Sequence, residues 1–272
     1  MMTFMQTREI EYHADDRRLV GTLVTPDGAE LRPGVVVFHE GPGLDDHAKG
    51  RAQRLGELGY VAFAADYHGG GVRLPAEEMR PRLAELIGDP MRTRVLAASA
   101  LDVLLCEPSV DHSRIAAIGF CFGGTTALEL ARSGAEVHAV VGFHSGLSTS
   151  RPGDAANIKG AVLACIGADD PMIPVEQRAA FEAEMRAGGV DWQLQVYGGA
   201  VHSFTNQAAD AWGMPGIAYH APTDARSWAA MLGLFEERFG VGRVASRNDR
   251  DTNASAVDPG RVRPRRRGSV PD

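Results

Sequence analysis

The sequence predicts an α/β domain: a mostly parallel, doubly wound sheet with helices on both faces and an antiparallel hairpin at the N-terminus. Three observations carry this. Short apolar runs without polar alternation, such as Val35–Phe38 and Ile115–Ile118, recur along the chain, as expected of strands buried on both faces of a parallel sheet. Segments with helical spacing of apolar residues lie between them, so strands alternate with helices over roughly 200 residues. A chain of 272 residues that is 44% hydrophobic also suffices for one large core.

The elements follow in order. Glu9–His13 and Leu19–Val24 flank Ala14-Asp-Asp-Arg17 and predict the hairpin, which ends at Pro26. Gly34–Glu40 is a buried strand broken by Gly41-Pro-Gly43. His47–Gly59 carries the stripe Ala48, Ala52, Leu55, Leu58 of a helix stopped by glycine. Tyr60–Asp66 is the next strand, and Tyr67–Leu74 a loop. Helices are predicted over Pro75–Ile87 and Met91–Cys106, parted by Gly88-Asp-Pro90. A strand over Ile115–Ile118 leads into a helix over Thr125–Arg132. Strands at Val137–Phe143 and Ala161–Ile166, a helix at Val175–Ala187, a strand at Trp192–Tyr197 and a helix at Asp224–Phe239 complete the domain. Its expected extent is residues 1–240.

Residues 241–272 differ in character, with eight arginines, four aspartates and few large apolar side chains. Such a segment buries too little surface to offset the entropy of ordering, so a disordered Arg-rich tail is expected. The cluster Arg261–Arg267 reads as a solvated tail before it reads as a site for nucleic acid or an acidic partner. The formal charge of −7 gives the body no reason to bind nucleic acid. Three cysteines without regular spacing make no disulfide framework. With no apolar leader at Met1–Ile10 and no stretch near the ~18 apolar residues of a membrane span, a cytoplasmic protein is expected. Composition says nothing of its oligomeric state.

The chemistry is expected where parallel strands end. Gly119-Phe-Cys-Phe-Gly123 has the spacing of a sharp strand-to-helix turn that lifts a nucleophile, Cys121, to a helix N-terminus, where free N–H groups favour a thiolate. The strand ending at Ile166 runs into Asp169 and Asp170, of which Asp170, before Pro171, is the chosen acid. The strand ending at Tyr197 runs into His202. A thiol needs a base in hydrogen-bond reach, and the imidazole needs a carboxylate to fix its tautomer. The order nucleophile, acid, histidine is that of the α/β-hydrolases, so the fold expected is the α/β-hydrolase fold. The same layout makes the N–H groups of Phe122 and Gly41 the oxyanion hole. Glu40, at its edge, opposes a developing negative charge. It is either a second base for the thiol proton or a hydrogen-bonded loop residue, and the residues alone leave both open.

These motifs resemble the dienelactone hydrolase family, the cysteine branch of the α/β-hydrolases. The resemblance rests on Val36–Glu40, Gly119–Gly124, Asp170–Pro174 and His202–Phe204, and spans roughly residues 8–240. It implies a hydrolase of esters or lactones without metal or organic cofactor, acting on a small molecule. It makes Cys121 the nucleophile, His202 the base, Asp170 its partner, and Glu40 the group that receives the resting thiol's proton when substrate enters. Members that cleave dienelactones hold the substrate carboxylate with two arginines, one in the loop after the Tyr60–Asp66 strand and one four residues past the histidine. Arg73 or Arg80 is the candidate for the first, with Tyr67 in the same loop. The second position is Asn206, so a dienelactone substrate does not follow.

Three rival readings are weaker. Gly119–Gly124 lacks the G-x-G-x-x-G spacing of a dinucleotide site. His39, His47 and His68 match no common metal-ligand spacing. A non-catalytic binding protein on the same fold is opposed by an intact Cys121, Asp170 and His202.

Overall fold

The computed structural model describes residues 4–240; the expected tail, 241–272, lies outside the described residues. The N-terminal hairpin pairs β1 (Met5–Ala14) with β2 (Arg17–Pro26), with Tyr12 opposite Leu19. Then come β3 (Arg32–Phe38), α1 (Asp46–Glu57), β4 (Val61–Ala65), α2 (Ala76–Gly88), α3 (Pro90–Leu105) and β5 (Val110–Phe120). They are followed by α4 (Phe122–Arg132), β6 (Ala139–Phe143), β7 (Ala161–Gly167), α5 (Val175–Gly188), β8 (Trp192–Tyr197) and α6 (Ala221–Phe239). Two short 3-10 turns, Pro152–Asn157 and Ala209–Trp212, interrupt the loops before β7 and α6.

The eight strands form one sheet in the order β1-β2-β4-β3-β5-β6-β7-β8. Only the β1–β2 and β2–β4 pairs are antiparallel. The chain steps outward from β3 to β4 and then crosses back to β5, so the order reverses at β3. In open α/β sheets, ligand sites lie at such a reversal, beyond the strands' carboxyl ends. Every residue of β4, β6 and β7 is buried, which is why these strands read as unbroken apolar runs.

Among the boundaries that differ from the sequence reading, those of β5 and α4 have a plain physical reason. β5 begins five residues before Ile115, because Val110 and Asp111 pair with Arg32 and Pro33 at the polar end of the sheet. α4 begins at Phe122, so Gly123 and Gly124 lie inside its first turn. They are there for closeness: a Cβ on Gly123 would stand 2.3 Å from the Phe38 and His39 carbonyl oxygens. On Gly119 it would stand 2.0 Å from the Gly123 oxygen.

α4 is then fixed from behind. Arg132, fully buried, donates to Glu184 of α5 at 2.7 Å and to Glu129 at 3.0 Å, while Arg94 of α3 donates to Glu129 at 2.8 Å. Removing one partner of such a buried pair leaves an uncompensated charge, at a cost of about 3–5 kcal/mol. The helix that follows the Cys121 turn therefore has little freedom to slide. Among the described residues, no helix is long and apolar enough to cross a membrane.

Candidate active site

Cys121 stands between β5 and α4 with φ 54° and ψ −121°, a backbone conformation that non-glycine residues rarely adopt. Its N–H donates to the Phe143 carbonyl at 3.0 Å and to His144 Nδ1 at 3.1 Å, which holds the turn in that shape. Its side chain makes no capping hydrogen bond to α4, so the sulfur is not tied to the helix it precedes.

His202 lies beyond β8. Its N–H donates to the Gly216 carbonyl at 3.0 Å, and its own carbonyl accepts from the Ala218 N–H at 3.1 Å. The ring Nδ1–H donates to Asp170 Oδ2 at 2.8 Å, and both residues are buried. The second Asp170 oxygen accepts from the Met172 N–H at 2.8 Å, so the carboxylate cannot rotate away. Asp169 is exposed and takes no part. Nε2 of His202 is buried without a hydrogen-bond partner among the described residues. Burial works against protonation of this ring, but the nearby Cys121 sulfur and the Asp170 carboxylate outweigh it and raise its pKa to about 10.

Glu40 follows β3 and is 2% exposed. Ser203 Oγ donates to its Oε1 at 2.9 Å, and the Asn206 amide donates to its Oε2. His47 Nδ1 faces Oε2 at 3.8 Å. Burial pushes the Glu40 carboxyl above the usual carboxylate range, and the hydrogen bonds from Asn206 and Ser203 pull against it. Asn206, expected at a substrate-contacting position, is thus 2% exposed with its amide spent on Glu40.

Tyr67, expected in the substrate loop, is also engaged inside the protein. It is 1% exposed, its hydroxyl donates to the His39 carbonyl at 2.6 Å, and its ring stacks on His39 at 3.7 Å. His39 Nδ1–H donates to the Glu40 carbonyl at 2.6 Å, and His68 Nε2–H to the Gly41 carbonyl at 2.8 Å. Three consecutive carbonyls are thereby fixed by ring groups. The N–H groups of Gly41 and Phe122 donate to no backbone carbonyl among the described residues and remain available. His39 and His68 are occupied in holding this loop, and no group of three or more metal-binding side chains occurs among the described residues.

Arg73 is exposed, with its guanidinium over the Trp212 ring at 5.2 Å. Arg80 lies on an exposed part of α2. Beside the nucleophile turn, a cavity of about 300 Å³ is lined by Leu86, Ile87, Pro90, Phe122, Thr125 and Ser148, among others. Cys165 is buried in β7, which pushes its thiol up to about 12, whereas Cys106 is exposed at the end of α3. The sequence reading passed over Ser203, His144 and Thr205. His144 lies one residue past β6, and the strand-end rule that picks out Cys121 and His202 would have found it.

The model of the dienelactone hydrolase family matches residues 19–239. A solved structure named m3DLH is 53% identical, with a TM-score of 0.84 over 86% of this chain and 99% of that one. A dienelactone hydrolase-like promiscuous phosphotriesterase from metagenomic libraries is 46% identical, with a TM-score of 0.82 over 86% and 98%. Protein usf of Aquifex pyrophilus is 25% identical over 220 residues, 75% of this chain and 94% of that protein. Fold, strand-end geometry and these likenesses agree: the chain belongs to the dienelactone hydrolase family, hydrolases of the α/β-hydrolase fold.

Proposed function

We propose that this chain hydrolyses small carboxylic esters or lactones through a Cys121–His202–Asp170 triad and a thioester intermediate. The observation that carries the reading is the His202–Asp170 hydrogen bond of 2.8 Å, with the opposite ring nitrogen buried and unpartnered beside the nucleophile turn. Asp170 holds the proton on Nδ1, so Nε2 is the atom that gives a proton to the leaving alcohol and takes one from water.

When substrate enters, Glu40 takes the thiol proton, and the sulfur attacks the carbonyl carbon beside a protonated His202 whose Nε2–H is already in place. The oxyanion that forms is met by the N–H groups of Phe122 and Gly41. Collapse expels the alcohol oxygen, which takes the proton from Nε2–H and leaves a thioester on Cys121. Water then attacks the thioester and gives one proton to Nε2. The second collapse releases the carboxylic acid and returns the sulfur. The sulfur then recovers its proton from Glu40. The cavity lined by Leu86, Ile87 and Phe122 takes the apolar part of the substrate. Arg73 meets substrate at the rim.

A second reading, hydrolysis of neutral phosphate triesters, is favoured by Asn206. It puts an uncharged group where the family's carboxylate-holding arginine stands, and the 46% identical structure carries a phosphotriesterase name. Turnover of a p-nitrophenyl ester and of a p-nitrophenyl phosphotriester by wild type and Cys121→Ala tests both readings. Ester turnover lost with the thiol supports the first; turnover unchanged in Cys121→Ala overturns it.

A further inference from the structure

One buried imidazole touches several parts of the site without belonging to the triad. His144 is 0% exposed and adopts φ 42°, a conformation that a residue with a side chain keeps only when its surroundings enforce it. The Cys121 N–H donates to its Nδ1 at 3.1 Å, so the ring proton is on Nε2. That Nε2–H donates to Thr205 Oγ1 at 2.8 Å. Having accepted there, the Thr205 hydroxyl has its own proton to give, and His47 Nε2 lies 3.3 Å away. Arg51 Nε, which can only donate, approaches the same His47 nitrogen at 3.3 Å. The His47 proton is therefore on Nδ1, the atom that faces Glu40 Oε2 at 3.8 Å.

The three hydrogen bonds point the same way, from the Cys121 backbone to His47, whose Nδ1–H ends the chain without a hydrogen bond and faces Glu40 Oε2 at 3.8 Å. The direction is stable to pH. Burial first, and then neighbouring charge from His202, His47 and Arg51, holds His144 well below its ordinary pKa. Burial and Arg51 lower His47 to about 3. The His144 ring also stands edge-on to His202 at 5.2 Å and to Phe204 at 5.0 Å, bounding the catalytic imidazole.

We propose that His144, in its Nε2–H tautomer, is the positioning residue that fixes the nucleophile turn against the loop of His202 and, through Thr205, against His47 beside Glu40. The inference rests on the ester-hydrolase reading above. Tilting the Cys121 peptide moves both the sulfur and the adjoining Phe122 N–H. Releasing Thr205 frees the loop that carries His202, Ser203 and Asn206. Both errors fall on the reacting atoms and leave the substrate cavity alone, so the loss belongs in kcat and not in KM.

The test compares Thr205→Val, which keeps shape and removes the hydroxyl, with Thr205→Ser, which keeps the hydroxyl. His144→Phe removes both hydrogen bonds, whereas His144→Asn tolerates positive φ and offers Oδ1 near the place of Nδ1. The readouts are kcat and KM for a neutral p-nitrophenyl ester, the rate at which iodoacetamide alkylates Cys121, and Tm. Thr205→Val is expected to lower kcat by at least about tenfold with KM within about twofold, and to slow alkylation in parallel. Thr205→Ser recovers most of both rates, and His144→Asn loses less than His144→Phe. A Thr205→Val enzyme with lowered Tm but wild-type kcat and alkylation overturns the proposal, since Thr205 is then only structural. Should His144→Phe fail to fold, the threonine pair decides. If wild type shows no Cys121-dependent ester turnover, the ester reading fails, and the alkylation rates still decide the role of His144.

Discussion

Asp170 grips His202 from one side only. Its Oδ2 accepts from His202 Nδ1 at 2.8 Å while its Oδ1 accepts from the Met172 backbone at 2.8 Å. The carboxylate thereby fixes the imidazole's Nδ1–H as well as its place, and leaves Nε2 buried without a hydrogen-bond partner among the described residues.

Asp170→Asn keeps the size of this group but allows the amide to donate to Nδ1, so the neutral ring formed during turnover keeps its proton on Nε2 and cannot take one from water. Turnover of a neutral ester is expected to fall by roughly 10³–10⁴-fold, with little change in Tm. Activity within tenfold of wild type contradicts the assignment, and Asp169→Asn, at an exposed position, serves as the control.

The His202 imidazole, with a pKa raised to about 10 chiefly against the cost of burial, is charged at neutral pH. A folded pKa above the ordinary value of 6.5 contributes stability that is fully present below 6.5 and lost as pH rises through about 10. Cys121→Ser removes the sulfur that raises the ring's pKa, so that pKa should fall and the alkaline loss of Tm should flatten. Titration of the His202 ring protons by NMR checks this. An unchanged ring pKa in Cys121→Ser means that the sulfur does not lie where the account needs it.

Glu40→Gln separates a proton acceptor from a brace. The folded pKa of Glu40 is raised by burial, so above that pKa the fold must hold a buried carboxylate, and below the ordinary carboxylate range the penalty disappears. The amide relieves that penalty and keeps partners for Ser203 and Asn206. Turnover is expected to fall by about 10²-fold while Tm at neutral pH holds or rises. Near-normal turnover with a large loss of Tm identifies Glu40 as structural.

Substrate charge is the next prediction. The Asn206 amide is committed to Glu40, and Arg73 is exposed over Trp212. A substrate carboxylate thus lacks the second bidentate cation, a difference of about 1–2 kcal/mol between charged and neutral hydrogen bonds. The ratio of kcat/KM for a neutral lactone to that for a carboxylate-bearing dienelactone of similar size should be about 5- to 30-fold. Wild type that prefers the acid overturns this, and the loss of that preference in Arg73→Ala would identify the group responsible.

The fold was legible because it depends on backbone periodicity, and chain order marked Cys121, Asp170 and His202 as the candidate site. Apolar runs marked the strands, and each of Cys121, Asp170 and His202 follows a strand end. Tyr67 and Asn206 were misplaced as substrate contacts because sequence gives a loop residue's position but not the direction of its side chain. Both turn inward to the loop of Glu40, where burial leaves a carboxylate and three backbone carbonyls in need of donors. His144 was missed for a related reason. A histidine past a strand has no sequence mark that distinguishes a base from a neutral hydrogen-bonding bracket until its partners are seen.

The central claim is that Cys121 forms a thioester with the acyl group of its substrate. Mixing the enzyme with a p-nitrophenyl ester, quenching in acid before turnover completes and mapping peptides by mass spectrometry tests this most directly. The account predicts one acyl group on the Cys121 peptide, accumulating in His202→Ala or with a slowly hydrolysed ester, and none in Cys121→Ala. Ester turnover with no acyl group on Cys121, or with the acyl group on Cys106 or Cys165, contradicts it.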